Sequence, residues 1–173
     1  MNKYHISYDN PLSHFVQIEL TLQTRGEEQI DLKLPVWRPG RYEIQNFPKR
    51  IRNIKATAPD GGPLVCQKIS KDSWLVSDIQ SESIIVSYEY YAGLMDAGNS
   101  WLDDEQLYLN FINCMMYVES KMLEKCVVEF DLPEDYQLAT GLKKIGPHQI
   151  ESPNYYQLVD SPLIASHDLK HLE

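Results

Sequence analysis

Positive charge is scarce in this sequence: 16 Lys and Arg stand against 25 Asp and Glu, a formal net charge of -9 over 173 residues. Binding nucleic acid requires concentrated cations that displace counterions from phosphate. Nucleic acid and anionic membrane surfaces are therefore excluded as expected partners. Long apolar runs are missing too, and no stretch approaches the ~20 continuous apolar residues of a membrane-spanning helix. Met1 to Leu20 lacks the basic-then-apolar layout of a secretory leader. The expected compartment is the cytoplasm, or the periplasm or exterior if a leader has been removed. Cysteine is sparse. Cys66, Cys114 and Cys126 form no C-x-x-C pair, which argues against a zinc ribbon or a thioredoxin-type site. Each is read as a small buried hydrophobe.

Helical periodicity is also nearly absent. Only Tyr42 to Phe47 and Val118 to Lys125 could hold a turn or two. Period-two alternation dominates instead. Val16, Ile18, Leu20 and Leu22 share one parity, and Ile30, Leu32, Leu34 and Val36 repeat the pattern. So do Ile84, Val86, Tyr88 and Tyr90, then Leu107, Leu109 and Phe111, then Cys126, Val128, Phe130 and Leu132. Successive strand side chains point to opposite faces, so each run predicts a strand with one wet side. Arg25-Gly26-Glu27-Glu28 reads as a hairpin connection between the first two runs. Pro59-Asp60-Gly61-Gly62, Gly98-Asn99, Pro133-Glu134-Asp135 and Gly146-Pro147 punctuate the rest. The expected class is all-β: β-sandwich-like or saddle-shaped antiparallel sheets with little helix. The expected domain covers residues 2–162, with 163–173 as a tail or the start of a linker.

Catalytic signatures are absent from the sequence. A zinc hydrolase carries ligands at tight spacing, as in H-E-x-x-H. His5, His14, His148, His167 and His171 do not form that motif. His167 and His171 have helical i, i+4 spacing, but Asp168 follows the first and no third ligand is evident. There is no G-x-S-x-G elbow and no glycine-rich phosphate loop. No catalytic residue and no metal ligand is assigned.

Two constellations remain. Leu34-Pro35-Val36-Trp37-Arg38-Pro39-Gly40-Arg41-Tyr42 ends a strand, and Pro39-Gly40 suits the centre of a type II turn. It reads either as a structural corner or as a substrate-facing or interface loop. Arg38, Arg41, Lys49, Arg50, Arg52 and Lys55 cluster around and after it, with only Glu43 opposing. That patch is either a solvated face or a dock for an acidic surface or a carboxylate. The second constellation is Trp101-Leu102-Asp103-Asp104-Glu105. Its three carboxylates either keep a loop wet or bind a cation or a substrate ammonium group. Neighbours in an extended loop point apart, so at most two of the three converge on one ligand.

Pro35-Val36-Trp37-Arg38-Pro39-Gly40-Arg41-Tyr42 resembles the P-x-W-x-P-G-x-Y stretch in the N-terminal domain of glycyl aminopeptidases. These are the PDZ-containing zinc metallopeptidases of peptidase family M61. Lys71-Asp72-Ser73-Trp74, Leu102-Asp103-Asp104-Glu105 and Leu158-Val159-Asp160-Ser161-Pro162 are similar to further family stretches in the same order. The opening Tyr4-His5-Ile6-Ser7 and the Ser13-His14 strand also fit. The resemblance implies a noncatalytic β domain that precedes a thermolysin-like catalytic domain and a PDZ domain. It therefore implies no cofactor in this chain and zinc in the catalytic domain. The implied partners are those downstream domains and a peptide substrate at their interface. By analogy with the wider aminopeptidase clan, Asp103, Asp104 and Glu105 would edge the cleft that takes the substrate's free amine. Trp37, Tyr42 and Trp101 would wall it. A partly desolvated carboxylate distinguishes an α-ammonium from an internal amide, because only the ammonium makes a charge-assisted hydrogen bond with it. The rival reading is a stand-alone β-sandwich module that binds carbohydrate or protein through its Tyr-rich strands and three tryptophans.

Overall fold

The alternating runs fold as strands. The computed structural model describes residues 1–41, 43–96 and 98–170. In chain order the strands are β1 (Asn2–Ser7), β2 (Phe15–Gln23), β3 (Ile30–Lys33), β4 (Ile51–Thr57), β5 (Pro63–Lys68), β6 (Ser73–Ser77), β7 (Ser83–Tyr91) and β8 (Trp101–Leu102). They continue with β9 (Gln106–Leu109), β10 (Cys126–Phe130), β11 (Gln137–Thr140), β12 (Lys143–Gly146), β13 (Gln149–Ser152) and β14 (Leu163–Ser166). Among the described residues helix is confined to α1 (Tyr155–Val159) and 3-10 turns at Pro11–Ser13, Phe47–Arg50, Phe111–Asn113 and Glu119–Lys121.

Ten strands form one sheet in the order β12-β13-β10-β1-β2-β7-β4-β5-β6-β3, and four form a second, β11-β14-β9-β8. The fold is all-β, as the alternation predicts. Its pairings are antiparallel apart from β1 beside β10, which run parallel. The longest register joins β2 to β7, where Val16, Ile18, Leu20 and Leu22 face Tyr90, Tyr88, Val86 and Ile84. All eight side chains are buried. Burying each aliphatic side chain stabilises by about 1.5–3 kcal/mol. A one-residue slip would turn the whole set to water, so the pattern fixes the register. Inward residues of both sheets belong to a single core.

Pairing departs from the sequence reading in several places. Arg25 and Gly26 do turn the chain, with φ of 55° and 82°, but β2 and β3 are not a hairpin. Both edges of β2 are taken by β1 and β7, and β3 pairs with β6 at the far edge of the sheet. The strand expected to run to Val36 stops at Lys33; the Leu34 amide still bonds the Asp72 carbonyl in register with β6, but Pro35 has no amide to carry the ladder on. The strand expected to reach Phe111 stops at Leu109, where Asn110 and Phe111 enter a 3-10 turn. The turn expected within Tyr42 to Phe47 instead lies at Phe47–Arg50, and Tyr42 itself is outside the described residues. α1 was not anticipated; the Asn154 side chain caps it by accepting from the Gln157 amide at 2.9 Å. Residues 163–166, expected as the start of a tail, form β14, held between β11 and β9.

Three buried tyrosines support a stretch that no strand pairs. Cys114, Met115 and Met116 are fully buried. Their carbonyls accept from the hydroxyls of Tyr88 (2.7 Å), Tyr155 (2.7 Å) and Tyr4 (2.8 Å) in turn. Tyr88 Oη also accepts from the Met116 amide at 3.1 Å. Buried backbone groups need partners, and here phenols supply them in place of a ladder. Cys114 and Cys126 are buried free thiols, whereas Cys66 on β5 is only half-buried.

Candidate functional site

β8 and β9 form a short hairpin, and the acidic triplet is its turn. The three carboxylates do not share one environment. Asp103 closes the turn. One carboxylate oxygen accepts from the Trp101 indole at 2.7 Å, and the other accepts from the amides of Glu105 (3.0 Å) and Gln106 (2.9 Å). Partial burial pushes its carboxyl up. The bonds from Trp101, Glu105 and Gln106, aided by nearby His14, outweigh that and hold it below the usual carboxylate range. Asp104 and Glu105 point into solvent. Among the described residues, no side chain or amide hydrogen-bonds their carboxylates. Their carbonyls are clamped instead: Tyr136 Oη donates to Asp104 at 3.1 Å and Ser166 Oγ donates to Glu105 at 2.9 Å.

Trp101 is wedged as well as bonded. The His14 ring lies 5.0 Å from it and 6.1 Å edge-on from Tyr91. A His14 ring nitrogen bonds the Leu102 carbonyl. His14 has a left-handed backbone (φ 58°) and follows a 3-10 turn capped by Asn10. These clamps escape sequence reasoning, since His14, Tyr136 and Ser166 lie far along the chain from the triplet.

Trp37 sits on a different loop but on a connected face. Pro39 and Gly40 occupy the centre of the turn from Arg38 to Arg41, and Gly40 takes φ of 81°, as a type II turn requires. Trp37 is 49% exposed and lines a groove of about 660 Å³ with Tyr117, Met122, Tyr155 and Tyr156. Pro39, Ile112, Val159 and Asp160 carry that groove into a smaller hollow bounded by Arg38, Asn110 and Tyr108. Tyr108 pairs with Trp101 on one side and Ile164 on the other, across the outer face of the small sheet. Glu105, Ser166, His167 and Asp168 line a polar hollow at that sheet's end. One semi-apolar face thus runs from Trp37 to Trp101 and the Asp104-Glu105 turn. The Arg38 guanidinium packs closely on the segment that leads into β8; a Cβ on Gly98 would fall 1.9 Å from it.

Tyr42, expected in the same wall, lies outside the described residues, as does His171. Among the described residues no group of three His, Cys, Asp or Glu side chains converges as a metal site. His167 packs near the Tyr136 ring, at 5.9 Å between centroids. Among the described residues no helix is long and apolar enough to cross a membrane. The basic patch divides: Arg38 belongs to this face, whereas Lys49, Arg50 and Arg52 gather at an end of the ten-stranded sheet.

The family model of the peptidase M61 N-terminal domain matches residues 3–167. The chain belongs to this family. The motif-by-motif resemblance read from Pro35–Tyr42 onward is the same assignment. This M61 domain is similar in structure to an aminopeptidase N family protein from Idiomarina loihiensis, with a TM-score of 0.87 and 28% identity over 96% of the chain. An M1 zinc metallopeptidase from Deinococcus radiodurans superposes over 95% of the chain with a TM-score of 0.53 at 11% identity. A variant of that enzyme bound to a Tyr-Ser-Ala substrate does so at 0.51 and 12%. At those identities the Deinococcus likeness speaks for the fold alone. The chain spans 29% of the Idiomarina protein and 41% of the Deinococcus one. No curated protein matches it.

Proposed function

We propose that this M61 domain is the noncatalytic N-terminal part of a zinc-dependent aminopeptidase, where it packs on the catalytic domain and edges the cleft for the substrate's N-terminus. The observation that carries the reading is the turn at 103–105 within a matched family domain. Asp103 is consumed in holding the turn, and the turn in turn presents Asp104 and Glu105 with unengaged carboxylates. The clamped backbone fixes where these two side chains start, and each carboxylate, free of other partners, can make a charge-assisted hydrogen bond with an ammonium group. Trp37, Tyr108 and Trp101 supply the apolar part of the same face, which suits packing against a neighbouring domain. Among the described residues no group of three His, Cys, Asp or Glu side chains converges to hold zinc. In this reading the metal and the general base come from the catalytic domain, and a PDZ domain follows it.

The reading frame beyond residue 173 is the first test. An H-E-x-x-H with a later Glu ligand supports the proposal; a stop codon there removes it in favour of a stand-alone binding module. In the full-length enzyme, Asp104→Asn and Glu105→Gln are then compared on peptides with free and acetylated N-termini. The expected result is a KM raised about tenfold for free-amine peptides in at least one variant, with kcat little changed. Unchanged kinetics in both would sink the cleft role while leaving the family assignment intact.

A further inference from the structure

The outer face of the ten-stranded sheet carries a further hollow, lined by none of the 103–105 residues. It forms where β2 and β4 begin and β7 ends. Phe15 pairs with Tyr91 there, and their rings lie 5.2 Å apart. Ile51 and Leu94 complete an apolar hollow of about 460 Å³. Leu94 is 42% exposed and its neighbour Met95 is 65% exposed, so large apolar surface faces water at this edge.

Cations ring the hollow. Arg52 lies 3.3 Å above the Phe15 ring and pairs with Glu89. Arg50 donates to the neutral partners Tyr90 Oη and Asn99 Oδ1. Lys49 is exposed. Among the described residues no carboxylate forms an ion pair with Arg50 or Lys49. Three cations therefore meet one acid, in a chain whose net charge is -9. A register shift between Arg52 and Lys55, with Asn53 at φ 55°, twists β4 at this end of the sheet.

From this pairing of an apolar floor with an uncompensated basic rim, we infer that the hollow docks an acidic segment of a partner protein bearing a bulky apolar side chain. The apolar side chain enters between Phe15, Ile51, Tyr91 and Leu94. Flanking carboxylates meet Lys49 and Arg50 and compete with Glu89 for Arg52. Potentials then match across the interface, which sets partner choice and speeds encounter.

The test is fluorescence anisotropy of the 173-residue chain with a labelled Glu-Asp-Phe-Asp-Glu peptide. The expected result is saturable binding in the range of roughly 10–100 μM that weakens as salt rises. Replacing the peptide's Phe by Ser should cost about tenfold. Lys49→Glu and Leu94→Asp should each weaken binding about fivefold; both sites are exposed, so circular dichroism is expected to stay unchanged. No saturation below about 1 mM would overturn the proposal. Equal binding by a Lys-Arg-Phe-Arg-Lys peptide, or full binding by both variants, would do the same. Binding to phosphatidylserine vesicles without binding to the peptide would assign the hollow to a bilayer instead and overturn it too.

Discussion

The Asp103 carboxylate accepts from the Trp101 indole two residues earlier, at 2.7 Å, and with its other oxygen from two amides of its own turn. An acid that the sequence places beside two others as a ligand candidate is thus a strut. Asp103→Ala should destabilise the domain by about 1–2 kcal/mol through lost charge-assisted bonds. Urea denaturation measures this; in the same experiment Asp104→Ala should stay within about 0.5 kcal/mol of the parent.

The Asp103 bonds also set an acid limit. The folded carboxyl lies below its ordinary range. Its contribution is therefore present above the unfolded value of about 3.9 and is lost as pH falls through the folded value. Stability measured below about pH 4 should fall less steeply in Asp103→Asn than in the parent.

Tyr4, Tyr88 and Tyr155 donate into the buried 114–116 stretch. Each Tyr→Phe change keeps the ring and orphans a buried carbonyl, at a cost of about 1–3 kcal/mol. Tyr88→Phe should cost most, because it also strips the Met116 amide of its acceptor. Exposed Tyr156→Phe is the near-neutral control in thermal denaturation.

Those phenols set an alkaline limit of opposite sign. Burial pushes Tyr4, Tyr88 and Tyr155 well above their ordinary value, and burial, with lesser opposing help from Arg50, leaves Tyr90 at about 12. Groups with a raised folded pKa contribute stability that is complete below about pH 10 and lost as pH climbs through the folded values. Ultraviolet titration should show Tyr4, Tyr88 and Tyr155 ionising only as the protein unfolds, above the ordinary phenol value of about 10. Smooth titration of every tyrosine near that value would contradict this core.

Lys121 is buried against Glu27 across the chain. Glu27→Gln removes the partner and leaves a buried cation, so a loss of about 2–4 kcal/mol is expected, tempered by the part exposure of Glu27. Lys121→Met replaces the charge by an apolar chain of similar length and should cost far less. A denaturant series on both variants distinguishes a required ion pair from a tolerated one.

Much of this domain was legible in the chain because period-two alternation reports directly which side of a strand is wet. Val16 to Leu22 and Ile84 to Tyr90 reveal their buried faces residue by residue, and Pro39-Gly40 declares its turn through backbone sterics. The family was legible because its motifs recur in order along the sequence. Partner choice was not legible. Alternation does not say that β2 takes β7 and refuses β3, or that residues 163–166 lie between β11 and β9; contacts between distant segments decide that. The chemistry of the acidic triplet was hidden for the same reason. Sequence supplies three adjacent carboxylates, and only folding brings His14, Tyr136 and Ser166 around them. That convergence engages Asp103 in the turn and leaves Asp104 and Glu105 turned to solvent.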